Sequence, residues 1–306
     1  MIALGGRPSS HSSGSPWVVI AANPYSGSGP TRELVAELEE SLRRRHIEPR
    51  VIWDAAQRRA VLGNPEQMRG CLCVVAVGGD GTVADVINEL PAGMPLATLP
   101  AGTENLFAAE FGFGRSGLEL AERIAARRTR AIDLARVGDR RFSLMMSVGF
   151  DAAVAHRLAE WRAASPRLRR VNRLSYVKPI FDMLRSYAYT PLEVDADGVR
   201  VEGAHAMVFN LPHYGFDLRF APGAAADDGL LDWVVFDGSG LWRMTGHLMN
   251  VLAGTHLDAS GVQHGRARRV VVRSTSTVPV QLDGDAAGYT PVDIEVVPQS
   301  LHVVVS

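Results

Sequence analysis

Three short stretches hold the residues best suited to chemistry. Gly78-Gly79-Asp80-Gly81-Thr82 lacks side chains at three of its first four positions and sets a carboxylate and a hydroxyl beside the gaps. Such backbone turns through conformations closed to other residues and lets a ligand lie against it. Asn23-Pro24-Tyr25-Ser26-Gly27-Ser28-Gly29 is a second turn, too long and too rich in Gly and Ser for a plain connection. Pro100-Ala101-Gly102-Thr103-Glu104-Asn105 is a third. Each follows an apolar run and precedes residues at helical spacing. A turn from strand to helix aims bare N–H groups and the positive end of the helix dipole at one spot, which suits phosphate. One glycine cluster is a weak signal; three turns at one sheet edge are far more specific.

The elements that must position these turns follow from periodicity. Residues 17–22, 72–77 and 95–99 are apolar without helical spacing, the texture of strands buried on both faces. Helices are expected over 31–46, from Thr82 (a cap, with Asp85 three residues on as in a capping box), and after Thr103, a second cap, with Asn105 projecting from the first turn. A short strand at 50–53, a weak helix at 54–62 and a helix at 117–128 complete this half. In an open parallel sheet the turns after the strands gather at the carboxyl edge. Further on, strands dominate: 142–148, 206–210, 230–236, 269–272, 278–282, 292–297 and 301–305. Helical insertions are expected at 154–187, broken near Ser165-Pro166, and at 241–252. The fold class is therefore α/β plus β. A Rossmann-like parallel α/β nucleotide domain spans 17–134. A β-rich, sandwich-like domain with helical insertions spans 135–306, and its last strand is free to return to the first domain.

Composition narrows the classes. The 306 residues are 46% hydrophobic with a formal net charge of −1, which describes a globular chain and not a nucleic-acid binder. Of the 32 basic residues Lys178 is the only lysine, leaving 31 arginines. A Walker A loop and a protein kinase each need a lysine at a set place, and neither can be built here. Cys71 and Cys73, two apart in a strand, are expected to be core thiols of a reducing compartment. Residues 1–16 are rich in Gly, Ser and Pro without a signal-peptide apolar core, and are expected to be a disordered leader of a cytoplasmic protein. Between Arg157 and Lys178 seven basic residues face a single acid, Glu160. That run is a solvated face or a patch for anionic headgroups at the inner face of the membrane. His156 and His213 read as surface or core histidines. A homodimer stays open.

These residues together resemble the diacylglycerol kinase catalytic-domain family, which includes bacterial soluble lipid kinases and the sphingosine and ceramide kinases. The likeness is carried by Asn23-Pro24 with Ser26-Gly27, by Gly78 to Thr82, and by Pro100-x-Gly-Thr103-x-Asn105-x-Phe107-Ala108. It continues in Gly149-Phe150-Asp151-Ala152, Asp227-Asp228-Gly229-Leu230 and Leu282-Asp283-Gly284-Asp285, in order, over about 17–305. The resemblance implies an ATP- and Mg²⁺-dependent lipid kinase with its active site between the two domains. It implies nucleotide contacts at Asn23, Pro24, Ser26, Gly27, Gly78, Gly79, Asp80, Gly81, Thr82, Asp85, Gly102, Thr103 and Asn105. It implies a structural magnesium at Asp228 with the carbonyls of Ala225 and Leu230. The proton acceptor falls at Asp285, where the family usually has glutamate, with Asp80 as rival base and as holder of the catalytic Mg²⁺. Met145, Met146, Phe150, Met244 and Leu248 either line the acceptor's cleft or belong to the core. An NAD or sugar kinase and an inactive ATP-binding regulator remain alternatives. A Rossmann dehydrogenase would want Gly-x-Gly-x-x-Gly after the first strand, which 23–29 does not supply.

Overall fold

The computed structural model describes residues 15–26, 31–164, 187–215, 218–238 and 240–306. Gly27 and the stretch from Ser165 to Lys178, with most of the arginine run and the expected helix break, lie outside them.

The first half alternates strand and helix: β1 (Trp17–Ala22), α1 (Thr31–Arg43), β2 (Glu48–Ile52), α2 (Ala55–Leu62), β3 (Cys71–Gly78), α3 (Asp80–Glu89) and β4 (Leu96–Pro100). β1 and β4 are buried at every position, and so are the last six residues of β3. These runs pair in parallel, in the order β2-β1-β3-β4. Short α4 (Leu106–Glu110) and α5 (Gly117–Ala126) follow. Asp54 caps α2, its carboxylate accepting from Gln57 N at 2.8 Å. Arg58 on α2 is 6% exposed and lies between α2 and α3, donating to Glu89 at 2.6 and 2.9 Å and to Asp85 at 3.2 Å.

β5 (Thr129–Val137) then leads into the second half, so the boundary expected after residue 134 falls inside a strand. Next come β6 (Arg140–Phe142), β7 (Met145–Val148), α6 (Phe150–Ala164), β8 (Leu192–Ala196), β9 (Val199–Gly203), β10 (His205–Phe209) and β11 (Leu231–Phe236). The chain closes with α7 (Leu241–Leu252), β12 (Val262–Ala267), β13 (Arg269–Arg273), β14 (Pro279–Leu282), β15 (Asp285–Tyr289) and β16 (Val292–Val304). The described residues form two sheets. One runs β2-β1-β3-β4-β16-β13-β8-β9, with β5 and β6 joined to it; the other runs β12-β11-β10-β7-β14-β15. Met146, Val148 and Val208 of the second sheet pack with Val194, Val270 and Ile294 of the first in one apolar cluster, so the two sheets form a sandwich.

Several expectations are corrected. Thr82 is not a helix cap: α3 already starts at Asp80, Gly79 stands at the cap, and Thr82 is buried within the first turn. Thr103 does not cap α4 either; Asn105 precedes it in the left-handed region (φ 57°). α1 ends at Arg43, short of 46, where His46 turns left-handed (φ 58°). The strand expected over 142–148 is two strands, because Asp283 takes the N–H groups of Ser143, Leu144 and Met145 out of any ladder. The strands expected at 292–297 and 301–305 are one strand, β16, with a register shift between Val297 and Leu301.

Candidate active site

The three turns meet. Gly79 N donates to Ser26 Oγ at 2.8 Å, which fastens the first turn to the second. Asn23 Nδ2 donates to Thr82 Oγ1 at 3.2 Å, and Asn23 N to Val77 O at 3.0 Å. The second turn meets the third where Ala101 N donates to Gly78 O at 2.8 Å. There the glycines are required by space. A Cβ on Gly102 would lie 2.4 Å from Gly79 Cα and 2.9 Å from Asn105 Oδ1. The Asn105 side chain holds the third turn from within, accepting from Gly102 N at 2.8 Å and donating to Gly102 O at 2.9 Å.

Asp80 sits where these turns meet. Its Oδ1 accepts from Phe107 N at 3.0 Å, so it serves as the side-chain cap that α4 lacks from its own residues. Burial pushes the Asp80 carboxyl above its ordinary value, against the N–H groups of Phe107, Leu106 and Asn105, which pull it down. A half-buried carboxylate oxygen is a suitable ligand for a hard cation. Gly81 faces open space: nothing lies within 4 Å of a Cβ placed on it. Sequence reasoning missed Arg115, an exposed cation whose Nη2 donates to Gly102 O at 3.1 Å. In a chain nearly without lysine, arginine was the residue type to look for. Asp85 points away from the turns' centre to Arg58, while Thr103 is exposed and Pro24 lies in the exposed first turn.

The second half contributes a polar cluster at the start of α6. Asp151 receives Ser147 Oγ, Tyr214 OH at 3.0 Å and Gln281 Nε2 at 3.5 Å, and His205 Nε2 lies 3.6 Å away. Gln281 also accepts from Gly284 N at 2.7 Å, which ties this cluster to the Asp283-Gly284-Asp285 turn. His213 is buried, as expected of a core histidine, and its Nε2 lies 3.0 Å from Glu110 of α4, bridging the halves. Only Asp151 was legible among these, as part of a motif; Tyr214 and Gln281 are too common to notice without the fold.

The two aspartates of that turn differ. Asp283 points inward and accepts from Ser143 N, Leu144 N and Met145 N at 2.9 to 3.0 Å. Burial pushes its carboxyl up to about 6, against those same N–H groups. Asp285 opens β15, half-exposed, with its Oδ2 3.8 Å from Arg140 Nη2. Of the candidate apolar lining, Met145 and Met146 are buried core residues.

The 225–230 loop is held without a metal ligand set. Asp228 Oδ1 accepts from Leu230 N at 3.0 Å and Oδ2 pairs with Arg266. Asp227 pairs with Arg130 at 2.5 Å, and buried Asp133 accepts from Gly229 N and Gln299 N at 2.7 Å. Among the described residues no group of three His, Cys, Asp or Glu is placed to hold a metal. Arg266 holds the Asp228 carboxylate, so a magnesium taking Asp228 with the carbonyls of Ala225 and Leu230 would have to displace that arginine.

Comparison with known proteins agrees with this division. Residues 16–137 match the diacylglycerol kinase catalytic domain, and residues 144–305 match the YegS C-terminal NAD kinase beta sandwich-like domain. A diacylglycerol kinase of Mycobacterium tuberculosis is 28% identical over 302 residues, covering 94% of each chain. One of Bacillus subtilis is 27% identical over 241 residues, covering 76% of this chain and 77% of its own. A crystal structure of a diacylglycerol kinase from Bacillus anthracis superposes with a TM-score of 0.72 at 21% identity, over 95% of this chain and 97% of that one, a likeness of fold.

Proposed function

Because the chain belongs to the family that joins a diacylglycerol kinase catalytic domain to a YegS-type C-terminal domain, we propose that it is an ATP-dependent lipid kinase. It transfers the γ-phosphate of ATP to a hydroxyl of a lipid such as diacylglycerol or a sphingoid base. One observation supports this most: three strand-end turns are bonded into a single backbone cradle with Asp80 at its centre. The curated relatives named diacylglycerol kinase support the acceptor class.

Phosphoryl transfer needs position and charge neutralisation more than covalent help. In this reading the Gly81 N–H holds the ATP phosphates, Thr82 N being bonded to Gly79 O at 2.9 Å. The Ser26 hydroxyl keeps Gly79 in place, and Arg115 neutralises charge from the side of the third turn. Asp80 would hold Mg²⁺, which supplies neutralisation of the transferring group. Asp285 orients the acceptor hydroxyl and takes its proton, while Asp283 anchors the turn that presents it. Gln281 keeps this turn in register with Asp151.

The test is label transfer from γ-labelled ATP with Mg²⁺ to diacylglycerol, sphingosine, ceramide, phosphatidylglycerol and NAD⁺, with Asp80→Asn as control. The NAD⁺ arm is included because the C-terminal family model takes its description from NAD kinase. Asp80→Asn can still accept from Phe107 N, so it should fold normally and lose roughly 100- to 1000-fold in turnover. Label in a lipid that disappears in the variant supports the proposal. Label only in NAD⁺, or ATP binding with no label in any acceptor, overturns it.

A further inference from the structure

The two faces of α7 differ sharply. Inward, His247 and Val251 are buried, and the His247 ring lies 5.1 Å from that of Phe236. Outward, Trp242 is 87%, Met249 59%, Leu252 60% and Leu248 45% exposed. At about 100° per residue these four and Thr245 fall within a sector of about 120°. No charged residue lies in that sector. The helix's single charge, Arg243, is tied to Asp237 at 2.8 Å, and no acidic residue occurs between Asp237 and Asp258.

The size of the face selects its occupant. Four side chains of this kind at these exposures present about 500 Å². A stable protein partner needs about 800 Å² a side. A membrane interface has no such threshold: a surface helix with an uncharged apolar stripe and a tryptophan partitions into the headgroup boundary. The absence of acidic residues along the helix spares it repulsion from anionic lipid.

The face is also linked to the polar cluster at the start of α6. β10 pairs antiparallel with both β7 and β11, so Val148 and Phe236 stand at one end of the second sheet, and α6 and α7 leave from that end. Edge-to-face ring contacts join α7 to the polar cluster: His247 to Phe236, Phe236 to Phe220 at 6.0 Å, Phe220 to Tyr214 at 5.1 Å, and Tyr214 OH to Asp151.

We infer that the Trp242–Leu252 face of α7 docks the protein on a lipid bilayer, with these side chains inserted shallowly in the interface. Its purpose rests on the lipid kinase reading, since a membrane-resident acceptor must be met at the membrane. Its test does not. The full chain is sedimented with vesicles of phosphatidylcholine and phosphatidylglycerol, without ATP. Trp242→Ser/Met249→Ser, both exposed positions outside the catalytic machinery, should weaken partitioning at least about tenfold and leave the circular dichroism unchanged. Brominated phosphatidylcholine should quench the tryptophan emission of the wild type, and Trp242→Phe should remove that quenching. Equal partitioning of wild type and variant, or quenching that persists in Trp242→Phe, overturns the inference. So does a wild-type dimer in solution that the double variant dissolves, since a second copy would then cover the face. A short-chain diacylglycerol dissolved as monomers separates the two readings. The variant should phosphorylate it at the wild-type rate and lose only the vesicle-borne acceptor. If neither protein phosphorylates any acceptor, the kinase reading fails, while partitioning and quenching still decide the docking face.

Discussion

Gly102→Ala tests whether the cradle depends on close approach of backbone. The added Cβ would stand 2.4 Å from Gly79 Cα, 3.1 Å from Gly79 N and 2.9 Å from Asn105 Oδ1. Carbon atoms rest at about 3.5–4.0 Å, so the second and third turns must part by roughly 1 Å. The nearest obstacle is the Gly79 backbone, which cannot swing aside as a side chain can. Overpacking of this kind costs about 1–3 kcal/mol. For a chain of 306 residues that lowers Tm by roughly 2–5 °C. The functional loss should be larger, since a displacement of about 1 Å at a reacting group is worth about 100-fold in rate. Gly81→Ala is the counterpart. A Cβ there meets nothing within 4 Å, and the residue lies in the first turn of α3. Alanine should hold or raise Tm, with up to about 1 kcal/mol of helix propensity in its favour, yet weaken ATP binding by standing in the proposed phosphate site. Thermal melts and steady-state kinetics against ATP distinguish these outcomes. Gly102→Ala with wild-type Tm and wild-type kcat/KM would refute the reasoning.

Further outcomes are expected elsewhere. Arg58→Ala leaves Glu89, whose side chain is 14% exposed, without its main partner, and should cost about 3–5 kcal/mol by chemical denaturation; adding Glu89→Gln should recover part of the loss, and no recovery would show that the charge is not the cause. His205 is held below its ordinary pKa by burial, with the nearby Asp151 carboxylate opposing. The unfolded chain therefore takes up a proton that the folded chain refuses, and stability falls as pH drops below about 6.5, by at most ~1.4 kcal/mol per unit. Melts from pH 7.5 to 5 should show a shallower decline in His205→Gln, and parallel curves would count against the assignment. Because Arg266 occupies Asp228, EDTA should move Tm by no more than about 1 °C; a larger fall that Mg²⁺ reverses would restore a structural cation there.

The parallel half was legible because β1, β3 and β4 are buried on both faces and read as unbroken apolar runs. The second half was harder. β12 (Val262–Ala267) has one fully buried residue in six and forms the edge of its sheet, so burial leaves little pattern in it. β8 and β9 are charged on alternate positions, yet the Asp197-Gly198 turn between them, with both residues at positive φ, is a hairpin signal that was there to be used. β16 reads as two strands because Pro298-Gln299-Ser300 interrupts its apolar pattern, whereas the strand absorbs the interruption at Gln299 (φ 50°). At the site, motifs located Asp80, the glycines and Asn105. They could not reveal that Asp80 caps a neighbouring helix or that Asp228 faces an arginine, because both depend on residues distant in sequence.

β16 also governs when the molecule can become complete. It pairs with β4 at Val303 and Leu96, and along its length with β5, partners that emerge far earlier in synthesis. Until it arrives, one side of β4 is an open parallel edge whose N–H and C=O groups invite pairing with any other chain. The parallel half therefore cannot mature ahead of the second half. Slow translation, or a lesion that delays β16, should expose this seam and divert nascent chains toward aggregation before the fold is complete.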